Sequence, residues 1–115
     1  MAVENIVWSH SEPAGADLSG SQFLAVNLDG GGGAVLAGAG EKILGVLQNK
    51  PVSGEAATIT ILGMTKAITG AAVTAGAPVE VDANGKFIDQ SAGITVGIAR
   101  TGSSGADEII SVYLV

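Results

Sequence analysis

Short runs of alternating apolar and polar residues, separated by turns that contain glycine, recur along the chain and form a repeat. Residues 79–88 place an apolar-polar-apolar triplet before Asp82, a turn through Gly85 and then two further apolar residues. Residues 26–35 follow the same order, with Asp29 in the equivalent position. Alternation with period two on both sides of such a turn is typical of a β-hairpin. We therefore predict two related hairpin units.

Each hairpin is followed, after a short connection, by another apolar run. A glycine inside each run, Gly45 or Gly97, indicates a bulge or a close backbone approach. These runs and three further apolar segments predict strands at residues 22–28, 41–48, 57–68, 93–99 and 109–115. No segment after residue 22 carries a sustained helical period. We predict an all-β fold, a small single-domain barrel or sandwich built from two related β-units.

The alternation also assigns faces to the predicted strands. Because successive side chains of a strand point to opposite faces, the phase of each run decides which residues enter the core. We expect the following side chains to point inward: Val79, Val81, Ile98 and Ile110.

The first twenty residues differ from the rest. They hold Trp8, the only histidine and a stretch rich in Ser, Gly, Ala and Asp that ends any regular element. We predict an extended N-terminal arm over residues 1–20 and a β-body over residues 21–115. The arm carries apolar side chains that we expect to contact a partner: Val3, Ile6, Val7 and Trp8.

Composition narrows the possible functions. Hydrophobic residues are 47% of the 115 residues but aromatic residues only 3%, which predicts a core of Val, Ile, Leu and Ala in one domain. Charged residues are 14%, below the usual share of about 25%, so we expect a partner to cover part of the surface. The net charge of −6 and the single arginine, Arg100, argue against direct nucleic-acid binding.

Targeting and redox features are few. The chain has no cysteine, which excludes disulfides and thiolate metal sites. Its first residues lack a basic region followed by a long apolar run, and no apolar run approaches the ~18 residues that span a bilayer. We expect a protein that is made in a cytoplasm and has no membrane partner.

Two patterns in the sequence could form a functional site: a glycine-rich run that could bind phosphate, and a set of acidic side chains that could bind a metal or act as a catalytic pair. The run Gly30 to Gly33 matches neither phosphate-binding fingerprint and precedes no predicted helix, so we interpret it as a turn. Acidic side chains occur at Asp29, Asp82, Asp89, Asp107 and Glu108. Their positions at strand ends favour turn capping or solvation over a metal site or a catalytic pair.

The only imidazole, His10, lies between two serines, and Asp17 follows it. A Ser-His-Asp triad would need a rigid scaffold and an oxyanion hole. Neither is expected on an extended arm, so we predict no enzyme activity, no catalytic residue, no cofactor and no metal.

Residues 75–87 contain an Ala-Gly-x-Pro-Val-x-Val turn and strand, followed by a glycine and an apolar residue, and residues 96–99 read Val-Gly-Ile-Ala. This combination resembles the signature region of the capsid cement or head decoration proteins of tailed phages. The resemblance covers roughly the second half of the chain.

The resemblance implies a structural virion protein, made in the host cytoplasm, that sits on the outer surface of the phage head. Its partner would be the major capsid protein, whose neighbouring subunits it would clamp, and it would form a homo-oligomer, with a trimer favoured. The alternative is a small ligand-binding module, for instance a carbohydrate-binding β-domain. Sugar binding usually needs exposed aromatic platforms, and the chain has four aromatic residues.

Overall fold

The computed structural model describes residues 2–114, and every regular element in that range is a β-strand. The strands, in chain order, are β1 (Asn5–Pro13), β2 (Ala25–Leu28), β3 (Ala34–Leu36), β4 (Gly45–Leu47), β5 (Ala56–Ile68), β6 (Pro78–Val81), β7 (Phe87–Asp89), β8 (Gly97–Ala99) and β9 (Ile109–Leu114). The prediction of an all-β fold is confirmed.

Eight of these strands form one curled antiparallel sheet, a half-barrel, in the order β3-β2-β4-β5-β9-β8-β6-β7. The order is symmetric about its centre: β2, β3, β4 and β5 on one side correspond to β6, β7, β8 and β9 on the other. The two repeat units predicted from the alternation are therefore the two halves of the sheet, joined where β5 pairs with β9.

The register of the strands confirms the repeat residue by residue. Val26 pairs with Gly45 in the first half, and Val79 pairs with Gly97 in the second. A Cβ atom built on either glycine would overlap a backbone carbonyl oxygen of the adjacent central strand. This is the close backbone approach that the two glycines indicated.

The core consists of two clusters on opposite faces of the β2-β4-β5 part of the sheet, because the adjacent residues Val46 and Leu47 of β4 belong to different clusters. The first cluster contains Phe87 and mostly short side chains from β2, β4, β5, β6, β8 and β9. The second cluster is formed by side chains of β2, β3, β4 and β5 together with residues that follow β1. Val79, Val81 and Ile110 are buried as predicted. Small aliphatic side chains fill both clusters, as the low aromatic content indicated.

The predicted inward orientation of Ile98 is wrong, because its side chain is 42% exposed. In β8 the inward positions belong to Gly97 and Ala99, which are both buried, and Ile98 lies between them on the outer face. Only residues without long side chains fit inward here, since Gly97 passes directly against the backbone of Tyr113. A bulky residue in this strand therefore has to point outward.

Several predicted strand boundaries also differ from the structure, and the run at residues 93–99 forms a strand only over Gly97–Ala99. The strand predicted from residue 22 begins at Ala25, because Phe23 has a positive φ of 67°, which lies outside the β region. The run at residues 41–48 forms a strand only over Gly45–Leu47. The strand predicted to end at Val115 is observed to Leu114, and both Met1 and Val115 lie outside the described residues.

The N-terminal segment is extended and lies against its own chain. Strand β1 pairs antiparallel with β5 from Asn5, opposite Met64, to Pro13, opposite Ala56. After β1, Ala14 and Leu18 are buried in the second core cluster. The predicted boundary between arm and body at residue 20 stays a prediction. Ala14 and Leu18, which lie before that boundary, pack against core side chains of the body.

Candidate partner-binding surface

Strand β1 lies at the border of the sheet and has one strand neighbour, β5, among residues 2–114. One of its two backbone edges is therefore open along most of Asn5–Pro13. An open strand edge offers unpaired N–H and C=O groups to another extended chain. Side chains along β1 are mostly exposed on both faces.

The four predicted contact residues divide into one that is engaged within the chain and three that are exposed. Val3 donates its backbone N–H to Ser111 Oγ, which in turn donates to the Val3 carbonyl at 2.8 Å. Ile6, Val7 and Trp8 are 41%, 68% and 53% exposed. The bonds of Val3 fix the start of β1 on the outer face of β9 and present the three exposed side chains beside it.

A register shift lies at these three exposed residues. The pairing of β1 with β5 is irregular between Ile6 and Trp8, opposite Gly63, which has a positive φ of 112°. A Cβ atom at Gly63 would press against the backbone of Asn5 and Val7. The glycine thus allows the local bulge at Val7.

An apolar groove of about 440 Å³ opens where β1 begins and β9 ends. It is lined by Asn5, Val7, Leu62, Gly63, Met64, Tyr113 and Leu114. The apolar surface continues along the outer face of the sheet, because register neighbours Met64, Tyr113, Ile98 and Pro78 follow one another across β5, β9, β8 and β6. Contiguous exposed apolar surface of this kind marks interaction sites.

The structure does not bring together the residues of a triad. His10 Nε2 lies 2.9 Å from Glu12 Oε1, and the ring of His10 packs against Trp8 with centroids 5.5 Å apart. Asp17 instead accepts the backbone N–H of Ser19 at 3.0 Å, and its hydrogen bonds with Ser19 lower the pKa of the Asp17 carboxyl. His10 and Trp8 therefore form part of the packing of β1.

Asp29 and Asp82 cap equivalent turns of the two repeats, as predicted. Asp29 Oδ1 accepts the backbone N–H groups two and four residues later, both at 2.8 Å. Asp82 Oδ1 accepts the corresponding pair at 2.8 and 3.0 Å. Within residues 2–114 no group of three potential metal ligands occurs, and no helix is long and apolar enough to cross a bilayer.

Glu80 is a buried acid that the sequence analysis passed over. It is only 6% exposed, although it occupies the polar position of the alternating run in β6. Its Oε1 accepts the N–H of Ser91 at 2.6 Å and that of Gly93 at 3.3 Å. The N–H of Ser91 contributes most to lowering the pKa of the Glu80 carboxyl, and it outweighs the opposing effect of burial.

A family model described as phage cement protein matches residues 13–114. The chain belongs to this family. The family predicted from the resemblance is thus confirmed, and this cement-family chain is a structural virion protein. The family comprises structural phage proteins and not enzymes. The match begins at the last residue of β1, so the four predicted contact residues lie outside it.

Among solved structures, the chain is similar to the base of the phage phi29 head fiber, described as head fiber gp8.5 N base in bacteriophage phi29. The TM-score is 0.77 with 11% sequence identity, over 94% of this chain and 93% of that chain. At this identity the likeness shows a common fold. No curated protein sequence matches the chain.

The sequence analysis did not predict most of the residues that line the apolar groove beside β1. Leu62, Met64 and Tyr113 lie in segments that look like ordinary core strands, and their exposure follows from the bulge at Gly63 and the end of β9. One feature of the sequence, Gly97, could have indicated this exposure. The backbone of Gly97 lies directly against the adjacent strand, so its neighbour Ile98 points to the outer face. Tyr113 pairs with Ile98 in the register and therefore lies on the same face.

Proposed function

We propose that this protein binds the outer surface of the assembled phage head and stabilises contacts between neighbouring major capsid subunits. Membership of the cement family supports a virion role. The observation that carries the proposal is the open edge of β1, which presents Val7 and Trp8 to solvent beside an apolar groove. A protein whose role lies in its surface contacts is expected to keep such a strand exposed until its partner covers it.

The proposed attachment is strand addition. An extended segment of the major capsid protein would pair with the open edge of β1, while Val7 and Trp8 fill apolar pockets of that subunit. Burying each of these side chains contributes about 1.5–3 kcal/mol relative to exposure. Because every head offers many equivalent positions, modest contacts of this size can hold an assembled protein in place.

We further propose that the protein forms a homotrimer. The apolar row from Met64 to Pro78 on the outer face supports contact with other copies, since charged side chains interrupt it nowhere along the register. Sedimentation equilibrium at concentrations of tens of micromolar, an order of magnitude suited to weak association, is expected to give three times the monomer mass. A clean monomer would contradict trimerisation in solution.

The attachment is tested with heads that lack their own copy of the protein. Val7→Asp combined with Trp8→Ser is expected to fold, because both side chains are exposed, and to bind these heads at least about tenfold more weakly than wild type. Leu28→Asp is the matched control, since Leu28 is 46% exposed on the far hairpin of the first repeat. Equal binding by the double variant and the control would contradict attachment through β1.

A further inference from the structure

Glu80 is a buried carboxylate without a cationic partner. No lysine, arginine or histidine nitrogen lies within ion-pair distance of it among residues 2–114. Buried glutamates are almost always paired, because an uncompensated charge in the interior is costly. The hydrogen bonds from the Ser91–Gly93 loop offset part of this cost, and they all reach one oxygen, Oε1.

The hydrogen bonds that Glu80 accepts among the described residues leave its second oxygen, Oε2, without a partner. Glu80 lines a shallow pocket of about 360 Å³. The pocket is formed by Ala39, Gly40, Glu80, Ala92 and Gly93. A Cβ atom at Gly93 would overlap Oε2, and one at Gly40 would lie 3.6 Å from it. Since a Cβ atom at Gly93 would also lie 2.5 Å from the Cα atom of Gly40, the two glycines allow both loops to pack closely beside Oε2, next to the pocket that Glu80 lines.

The pocket lies where the connecting loops of the two repeats meet. Gly40 donates its N–H to the Val81 carbonyl at 2.9 Å, and the N–H of Ile94 donates to the Gly40 carbonyl at 3.0 Å. In the first repeat the position equivalent to Glu80 is Asn27, whose amide donates to the Lys42 carbonyl at 2.8 Å. The carboxylate is therefore a feature of one repeat, and the repeat architecture alone does not require it.

We propose that this pocket binds one primary ammonium group, of the kind that a lysine side chain of a partner protein presents. An ammonium suits a single free oxygen, whereas a guanidinium binds best as a fork across two oxygens, and Oε1 is already occupied. The apolar walls of glycine and alanine accommodate the methylene stem. The net charge of −6 favours approach of a cation. The binding of an ammonium group does not depend on the proposed function. Only the assignment of the lysine to a neighbouring virion protein rests on it.

The test titrates n-butylammonium, as the probe, into the full-length protein at low salt. Binding is followed in ¹H–¹⁵N correlation spectra of the protein. Saturable shifts are expected at the backbone amides of Gly40, Ala92 and Gly93. Tetramethylammonium, which has the same charge but no N–H donor, is expected to bind at least about tenfold more weakly, as is methylguanidinium. Equal affinity for tetramethylammonium, or tighter binding of methylguanidinium, would overturn the proposal.

Glu80→Gln removes the charge with little change in shape and is expected to weaken n-butylammonium binding at least about tenfold. Glu41→Gln is the matched control, because it makes the same change in net charge in the adjacent loop, where Glu41 accepts the N–H of Gly38 at 2.8 Å. An equal loss in both variants would mean non-specific attraction and would refute the site.

If Glu80→Gln does not fold, the wild-type protein still decides the matter. Nuclear Overhauser contacts are expected between the methylene protons of the bound probe and the α protons of Gly40 and Gly93, and their absence at saturation would refute the site. Neither outcome depends on whether the protein binds phage heads, so the pocket and the proposed function can fail separately.

Discussion

Single residues set the geometry of this sheet at the positions where backbones come closest. Gly45 and Gly97 occupy equivalent places in the two repeats, and each lies against a carbonyl oxygen of the adjacent central strand. The sequence identified both glycines and the reason for them. It did not identify the outward orientation of Ile98, because the pattern of an apolar residue between two small ones fits either face until the partner strand is placed.

Gly97→Ala is expected to destabilise the protein by about 1–3 kcal/mol or more, because the added methyl group forces the backbones of β8 and β9 apart. Urea unfolding followed by circular dichroism measures the loss. Gly30→Ala is the matched control, since nothing lies within 4 Å of a Cβ atom there, and its φ is not positive. Equal stability of the two variants would contradict the close packing at Gly97.

The Glu80 carboxyl has a lowered pKa in the folded protein, so its ionised form stabilises the fold. That contribution is fully present above the unfolded-state value of about 4.3 and is lost as the pH falls through the lower, folded-state value. The difference in unfolding free energy between wild type and Glu80→Gln should therefore be largest near pH 7 and shrink in acid. A difference that stays constant between pH 7 and pH 3 would contradict the hydrogen bonding assigned to Oε1.

At the scale of whole elements, the two hairpins and the long strand β5 followed from alternation, glycine positions and β-branched residues. The place of β1 could not be predicted in the same way. Its residues 5–13 carry no regular alternation, and its partner on β5 is more than forty residues away, so only the folded sheet reveals the pairing. The burial of Ala14 and Leu18 was likewise invisible in a stretch rich in small residues.

Strand phase is tested by a pair of aspartate variants. Val81→Asp places a charge in the core, where Val81 is fully buried, and is expected to give an insoluble or unfolded product. Ile98→Asp introduces the same side chain on the outer face and is expected to fold cooperatively, as judged by thermal unfolding. A folded Val81→Asp protein together with an unfolded Ile98→Asp protein would reverse the faces described for β6 and β8.

Two truncations test where the body begins. Removing residues 1–12 leaves every buried hydrophobic residue of the described core in place, since these start at Ala14. Removing residues 1–20 also deletes Leu18, which is 2% exposed, and is expected to cost roughly a further 2–4 kcal/mol of unfolding free energy. Equal denaturant midpoints for the two fragments would instead support a boundary at residue 20.

For the molecule as a whole, the fold class, the internal repeat and the family were all predictable, because they depend on patterns that the chain repeats or on a local signature around residues 75–87. The exposed surface was less predictable. Exposed apolar side chains such as Tyr113 and Leu62 look identical in sequence to buried ones, and their role depends on where strands end and which edge stays open.

The low charge content, the open edge of β1 and the family are the observations behind the proposed attachment to an assembled head. Cryo-electron microscopy of heads that carry the protein tests this most directly. We predict density for the β-body on the outer surface where major capsid subunits meet, with Val7 and Trp8 buried and β1 paired with a capsid segment. Density that is absent from the outer surface, or a body bound through another face with β1 in solvent, would contradict the account.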